Sequence, residues 1–186
     1  LQKIFELWDS PFIELADDNT FVDKTWSKEL LKLFGKYKFK WFTETDLSVA
    51  YDDELLELLA SSGCAQVLIG LETSTAKGLK GIDRNDWKFR QFDNYVKAID
   101  KIQAYGISVN GCFILGFDTD TKDTFRETEQ FINESNLSEV QVTLLTPFPG
   151  TGLYQKLKQE NRLLRENYCD KCTLFDVKFI PKNFSV

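Results

Sequence analysis

Acidic side chains recur in this chain at positions where they could bind a polar ligand. Each group follows a short apolar run, at the point where the run ends: Asp17 and Asp18, Glu44 and Asp46, Glu72, and Asp118 and Asp120. Carboxylates accept strong, charge-assisted hydrogen bonds from hydroxyl and ammonium groups. A ribose and an amino-acid ammonium would both suit such a set of acids.

A capping role is the alternative for each of these acids, because an Asp before a helix commonly accepts from its first N–H groups. Asp46 and Asp120 lie just before helical patterns, so we favour the capping role for them. Asp17, Glu44 and Glu72 lie directly on strand ends, so we favour a ligand role for them.

The residue types exclude several chemistries. The chain has no histidine, which rules out histidine-based triads and histidine metal ligation. It also has no GxxxxGK[ST] phosphate loop. Cys64 and Cys112 lie in apolar runs and are predicted to be small core residues. Cys169 and Cys172 form one CxxC pair, half of a structural zinc site at most, so we favour a loop role over a composite metal site. We predict no metal ligand and no catalytic residue in this chain.

Strand and helix patterns alternate along the chain. Apolar runs predict strands at residues 11–16, 39–43, 66–71, 107–115 and 140–145, and an amphipathic helix pattern follows each of them. This alternation predicts an α/β fold with a parallel sheet, whose strand ends meet on one ligand-binding face. Periodicity alone leaves a doubly wound sheet and a barrel open. No glycine-rich dinucleotide motif follows the first strand.

The domain is expected to span residues 1–167, and residues 168–186 read as an irregular C-terminal extension of it. The net charge of −6 disfavours a nucleic-acid partner and favours a small-molecule substrate. No apolar run approaches the about 20 residues of a membrane span, so no membrane partner is expected. With no sign of secretion, we expect the protein in the cytoplasm, with its cysteines reduced.

Five ordered segments resemble those of radical S-adenosylmethionine (SAM) proteins, particularly the group that often bears a cobalamin-binding domain. They read FIELADDNTF at residues 12–21, WFTE at 41–44, GCAQVLIGLETS at 63–74, NGCFILGFD at 110–118 and LLTPFPGTGLY at 144–154. Five motifs in order are far more specific than any one of them. The resemblance implies a partial (β/α) barrel with parallel strands, here the second to the sixth strand of a six-unit barrel.

The resemblance also implies an activity and cofactors. Such enzymes cleave SAM reductively at a [4Fe–4S] cluster to make a 5′-deoxyadenosyl radical. The substrate on which this radical would act is unknown here. The CxxxCxxC loop that holds the cluster is absent from this chain. The cluster ligands are therefore expected in an N-terminal segment of the same protein, with an electron donor as a partner. The isolated chain is expected to be inactive, and cobalamin is a further cofactor to test in the full-length protein.

The resemblance assigns cofactor-binding roles by position. Residues 17–19 occupy the strand end where family members contact the SAM ammonium. Glu44 and Glu72 occupy the ends that face the methionine and ribose parts, and Gly116 lies where backbone approaches the adenine. The arginine that many relatives place near Glu44 is missing, so the contact to the SAM carboxylate is unassigned. The implied cofactor-binding set is Asp17, Asp18, Asn19, Glu44, Glu72, Ser74, Gly116 and Asp118.

Two other functions stay open at the level of the sequence. One is a non-catalytic β/α scaffold or binding module derived from such a barrel. The other is an ordinary carboxylate-lined hydrolase or isomerase. A CxxxCxxC motif within one β/α unit upstream of Leu1 would favour the radical SAM enzyme, and its absence would favour the scaffold.

Overall fold

The computed structural model describes residues 1–164 and 173–183. Five parallel strands form one sheet, in the spatial order β1-β2-β3-β4-β5. Their bounds are Phe12–Leu15 for β1, Lys40–Thr45 for β2, Cys64–Glu72 for β3, Ser108–Leu115 for β4 and Glu139–Leu144 for β5. The sequential order rules out the doubly wound alternative, in which the order reverses at a central crevice. The predicted α/β fold with parallel strands is confirmed.

Helices lie between the strands, as the alternating pattern predicts. They are α1 Gln2–Phe5, α2 Lys24–Phe34, α3 Asp53–Ser61, α4 Ala76–Leu79, α5 Trp87–Gln91, α6 Tyr95–Ala104, α7 Lys122–Glu134 and α8 Gly152–Gln159. Three short 3₁₀ helices add Leu47–Tyr51, Arg84–Asp86 and Phe92–Asn94. The last of these lies between α5 and α6. None of the described helices has the length and apolar character needed to cross a membrane.

The chain forms two compact units. The first comprises residues Leu1–Gly70, Gln91–Cys112 and Ile132–Val140, and the second comprises Leu71–Arg90, Phe113–Phe131 and Gln141–Val186. β3 and β4 begin in the first unit, and their C-terminal ends belong to the second. The acids at the ends of β1 and β2 therefore belong to the first unit, and those that follow β3 and β4 belong to the second.

Alternation along β2 places its apolar side chains against helices in the first unit. Trp41 is fully buried, while its neighbour Phe42 is partly exposed. The Phe34 ring of α2 meets the Trp41 ring edge to face at 5.5 Å between centroids. The Trp41 indole N–H also donates to the Ser62 carbonyl at 2.9 Å, which satisfies a polar atom that burial would otherwise leave costly.

The C-terminal segment of the second unit crosses the end of β5. The Leu144 N–H donates to the Leu174 carbonyl at 2.7 Å. Leu163 and Phe179 form an isolated antiparallel bridge. Cys169, Cys172 and the proposed boundary at residue 167 lie outside the described residues, so those expectations stay predictions.

Candidate functional site

The first unit presents three acids at the ends of β1 and β2. Asp17 and Asp18 follow β1 and are exposed, and Glu44 near the end of β2 is partly exposed. Within the described part of the chain, none of these three carboxylates has a hydrogen-bond or ion-pair partner of its own. Their charge is therefore available to a ligand that carries ammonium or hydroxyl groups.

The loop that carries Asp17 and Asp18 is fastened to the end of β2 by Asn19. The Asn19 amide donates from Nδ2 to Oδ2 of Asp46 at 2.7 Å, and its Oδ1 accepts from the Thr45 hydroxyl at 3.3 Å. The Thr20 N–H adds a bond to the Glu44 carbonyl at 3.2 Å. These bonds keep the exposed acids beside Glu44, and they give Asn19 a structural role whether or not it also meets a ligand.

Asp46 has the capping role that its position favoured. Its Oδ1 accepts from the Ser48 N–H at 2.7 Å, at the N-terminus of the first 3₁₀ helix. Asp52 does the same for α3, where it accepts from the Leu55 N–H at 3.0 Å. Both carboxylates satisfy N–H groups that lack a partner inside the helix.

Asn110 on β4 is a polar residue of the first unit that the sequence patterns did not single out. Its side chain is only 8% exposed, and its Oδ1 has no hydrogen-bond partner among the described residues. A buried acceptor without a donor is costly, and such groups mark places where a bound molecule could supply the missing bond. The sequence signal that could have identified Asn110 was one amide side chain inside an apolar run.

The end of β3, in the second unit, holds Glu72 in an uncommon backbone conformation. Its φ is +68°, and the Thr73 N–H donates to the Leu71 carbonyl at 2.9 Å. The carboxylate accepts a hydrogen bond from the Lys88 ammonium. Unlike Glu44, this acid already has a cationic partner within the chain.

Ser74 and Gly116 both form hydrogen bonds within the second unit. The buried Ser74 hydroxyl shares a hydrogen bond with that of Thr128 on α7 at 2.9 Å. Gly116 has a φ of +114°, which favours glycine, and its N–H donates to Asp120 Oδ2 at 2.8 Å. A Cβ added at Gly116 would lie 3.5 Å from the Leu145 Cβ, an ordinary contact distance, so the positive φ is what favours glycine there.

Asp120 does not have the helix-capping role that its position suggested. Its Oδ2 accepts from the N–H groups of Gly116 and Phe117, at 2.8 and 3.0 Å, so the carboxylate closes the loop back onto the end of β4. Burial raises the pKa of Asp120, against the opposing effect of these two bonds. Thr124 contributes at the start of α7 instead, where its hydroxyl accepts from the Thr121 N–H at 3.0 Å.

Asp118 is surrounded by cations of its own chain. Arg162 approaches Oδ1 to 2.7 Å, and Lys156 and Lys182 approach Oδ2 to 2.8 and 3.7 Å. The Arg162 guanidinium, helped by Lys156, lowers the pKa of Asp118 to about 2 despite its partial burial. These contacts anchor the C-terminal segment, and the cofactor-binding role assigned to Asp118 by resemblance stays a prediction.

A comparison with known protein families shows which family the chain belongs to. The family model described as "Radical SAM superfamily" matches residues 13–132. This stretch contains the first four strands with their connections. The chain belongs to the radical SAM superfamily. The predicted family is thereby confirmed, and the hydrolase or isomerase alternative is set aside.

Relatives of this radical SAM chain include methyl-transferring enzymes. It is 29% identical over 166 residues to bacteriochlorophyllide d C-12(1)-methyltransferase of Chlorobaculum tepidum, covering 89% of this chain and 35% of that protein. It is 31% identical over 174 residues to hopanoid C-2 methylase of Rhodopseudomonas palustris, covering 90% of this chain and 32% of that protein. The chain spans about a third of the length of the curated relatives it matches.

Solved structures support the same fold. The radical SAM methyltransferase TsrM from Kitasatospora setae, determined with cobalamin and a [4Fe–4S] cluster bound, matches with a TM-score of 0.69 at 17% identity. The match covers 80% of this chain and 28% of TsrM. At this identity the similarity shows the fold alone, which is the parallel-stranded partial (β/α) barrel expected from the motifs.

The described residues fit SAM better than they fit the cluster. Asp17, Asp18 and Glu44 offer carboxylates without partners, which suit ammonium and hydroxyl groups. A [4Fe–4S] cluster requires cysteine thiolates. Burial raises the pKa of the Cys64 thiol to about 12, which keeps it protonated. In residues 1–164 and 173–183, no group of three or more potential ligands is placed to hold a metal ion.

Proposed function

We propose that this chain is the SAM-binding part of a radical SAM enzyme, whose cluster ligands lie in a segment of the same protein outside this chain. The observation that carries the proposal is a set of acids without partners, Asp17, Asp18 and Glu44, at strand ends of a radical SAM chain. Their carboxylates would accept the SAM ammonium and hydroxyl hydrogens.

Within this proposal, each strand end has a distinct task. Asp17 and Asp18 bind the ammonium, on the loop that Asn19 fastens to β2. Glu44 binds the methionine part, and Glu72 accepts from the ribose hydroxyls. Gly116, which has no side chain and a φ of +114°, lets the adenine approach the backbone. When bound, the [4Fe–4S] cluster supplies the electron for reductive cleavage of SAM, which makes the 5′-deoxyadenosyl radical.

For the whole protein we propose methyl transfer to a small organic molecule, since the names of several relatives state that reaction. Cobalamin is proposed as a second cofactor of the full-length protein, with an electron donor as its protein partner. A structure of TsrM that contains cobalamin supports this choice. The acidic surface, with a net charge of −6, favours a small substrate over nucleic acid.

The test is Glu44→Gln in the full-length protein, reconstituted anaerobically with iron and sulfide. The substitution keeps the shape of the side chain and removes its charge. A hydrogen bond to a charged group contributes about 1.5–3 kcal/mol, so SAM should bind roughly 10- to 150-fold more weakly. Equilibrium dialysis measures the affinity, and formation of 5′-deoxyadenosine measures cleavage.

Glu57→Gln is the matched control, because Glu57 is an exposed acid on α3, away from the strand ends. It should leave both SAM affinity and cleavage unchanged. If Glu44→Gln behaves like Glu57→Gln in both measurements, Glu44 is a solvated surface acid and its proposed role is wrong.

A further inference from the structure

The turn that carries Glu72 is built to hold a side chain in a fixed place. Glu72 has a φ of +68° at the centre of a three-residue turn, closed by the bond from the Thr73 N–H to the Leu71 carbonyl. Positive φ is costly for a residue with a Cβ, and it persists where the surroundings impose it. Leu71 and Thr73 are both buried, at 0% and 2% exposure, so the turn cannot relax freely.

Lys88 is brought to Glu72 by a second fixed element. Asp83 accepts from the N–H groups of Trp87 and Lys88, at 2.6 and 2.8 Å, which holds the start of α5. From there the Lys88 ammonium donates to Oε1 of Glu72. Their side chains are only 18% and 20% exposed, so solvent screens this ion pair less than it screens a surface pair.

The ion pair leaves half of the carboxylate available. Lys88 uses Oε1, and Oε2 of Glu72 has no hydrogen-bond partner among the described residues. The terminal torsion of a glutamate is otherwise broad, so a bond to one oxygen restricts where the other points. A carboxylate held in this way suits a ribose hydroxyl as the donor to its second oxygen.

We propose that Lys88 is a positioning residue, which orients the Glu72 carboxylate for the ribose of SAM. The inference rests on the ribose-binding role proposed above for Glu72. Lys88 acts through Glu72 and does not touch the ligand. Losing its ammonium therefore leaves the acid in place, but free to rotate.

The experiment compares Lys88→Met, Glu72→Gln and the double variant in the full-length, reconstituted protein. Three probes are used: SAM, 5′-deoxyadenosine, which keeps the ribose, and methionine, which lacks it. Lys88→Met should weaken SAM and 5′-deoxyadenosine about tenfold and leave methionine unchanged. The double variant should bind no more weakly than Glu72→Gln alone, because residues that act as one unit are not additive. Lys88→Arg should restore most of the affinity.

Lys101→Met serves as the matched control, because it removes a different lysine–carboxylate pair, in which the Lys101 ammonium lies 2.7 Å from Asp53 in the first unit. It should leave all three affinities unchanged. If Glu72→Gln binds SAM like wild type, the ribose role proposed for Glu72 is wrong. If Glu72→Gln is weak while Lys88→Met is normal, only the inference on Lys88 is wrong.

Two further results would overturn the positioning role. Additive losses in the double variant would mean that Lys88 acts independently of Glu72. Thermal unfolding of each variant is measured in parallel. If Lys88→Met and Lys88→Gln both fail to fold, Lys88 is required for the fold and is not a positioning residue.

Discussion

At the scale of single residues, the cations around an acid decide whether it can receive a ligand. Asp118 has Arg162, Lys156 and Lys182 within 4 Å, and all of its charge is compensated inside the chain. Glu72 has one lysine partner and retains an oxygen without one. The Glu44 carboxylate has neither an ion-pair partner nor a hydrogen-bond partner among the described residues. Equivalent positions on successive strands therefore differ in what they can bind.

The cations around Asp118 predict a pH-dependent contribution to stability. Its folded pKa of about 2 lies below the usual value for Asp. The stabilisation is therefore present above about pH 4 and disappears as the pH falls towards about 2. Asp118→Asn should lower the free energy of unfolding by about 1 kcal/mol near neutral pH, after allowance for solvent screening. Urea unfolding from about pH 7 to about pH 3 measures the difference.

Asp123→Asn is the control for Asp118→Asn, because Asp123 makes an exposed pair with Arg126 three residues away. Its loss should change stability by less than about 0.5 kcal/mol. The interpretation of Asp118 as an anchor fails if both variants unfold alike, or if the deficit of Asp118→Asn persists undiminished at acid pH.

The partners of these acids could not be predicted from the sequence, because they come from distant positions. Arg162 follows Asp118 by 44 residues, and nothing in the local pattern pairs them. Capping was predictable at Asp46, where the bonded N–H is two residues away. The same reasoning was wrong for Asp120, which bonds backwards to the end of β4.

At the scale of elements, short apolar runs located all five strands, because parallel strands buried in a sheet are rich in apolar residues. Apolar spacing was a poorer guide to which helix residues are buried. Trp26 on α2 is 56% exposed, and Phe125 on α7 is 52% exposed. Apolar spacing identifies a helix, while tertiary packing decides which of its apolar residues are covered.

The start of β3 depends on a glycine that no other residue can replace. Gly63 has a φ of +91°, and a Cβ there would lie 2.2 Å from the Phe39 carbonyl oxygen. Gly81 has a similar φ of +80°, with nothing within 4 Å of the added Cβ. Gly63→Ala should therefore cost about 3 kcal/mol or more, and Gly81→Ala about 1–2 kcal/mol.

Thermal and urea unfolding of the two alanine variants separate backbone strain from the steric clash. Equal losses would mean that φ alone governs both sites and that the Phe39 backbone moves away without cost. A larger loss at Gly63 is the expected result, because the clashing atom is a backbone oxygen next to β2, which cannot shift as a flexible side chain can.

At the scale of the whole molecule, five ordered motifs were enough to predict the family, because a series in a fixed order is far more specific than any one motif. The motifs did not predict a substrate. The chain spans about a third of its relatives, and their names describe reactions on different molecules. The conclusion that holds for this chain is therefore a fold and a candidate cofactor site.

The last prediction concerns the 186-residue chain by itself, reconstituted with iron and sulfide under anaerobic conditions. We expect it to bind far less than the about four iron and four sulfide of a [4Fe–4S] cluster, which cysteine thiolates must hold. Cys64 is buried, with its pKa raised to about 12, and it lies 48 positions before Cys112. Cys169 and Cys172 supply two thiols at most.

Iron and sulfide assays measure the stoichiometry, with the full-length protein as the positive control. Near-stoichiometric iron and sulfide that disappear in Cys169→Ser and Cys172→Ser would show that this chain carries its own cluster ligands, against the proposal that they lie elsewhere in the protein.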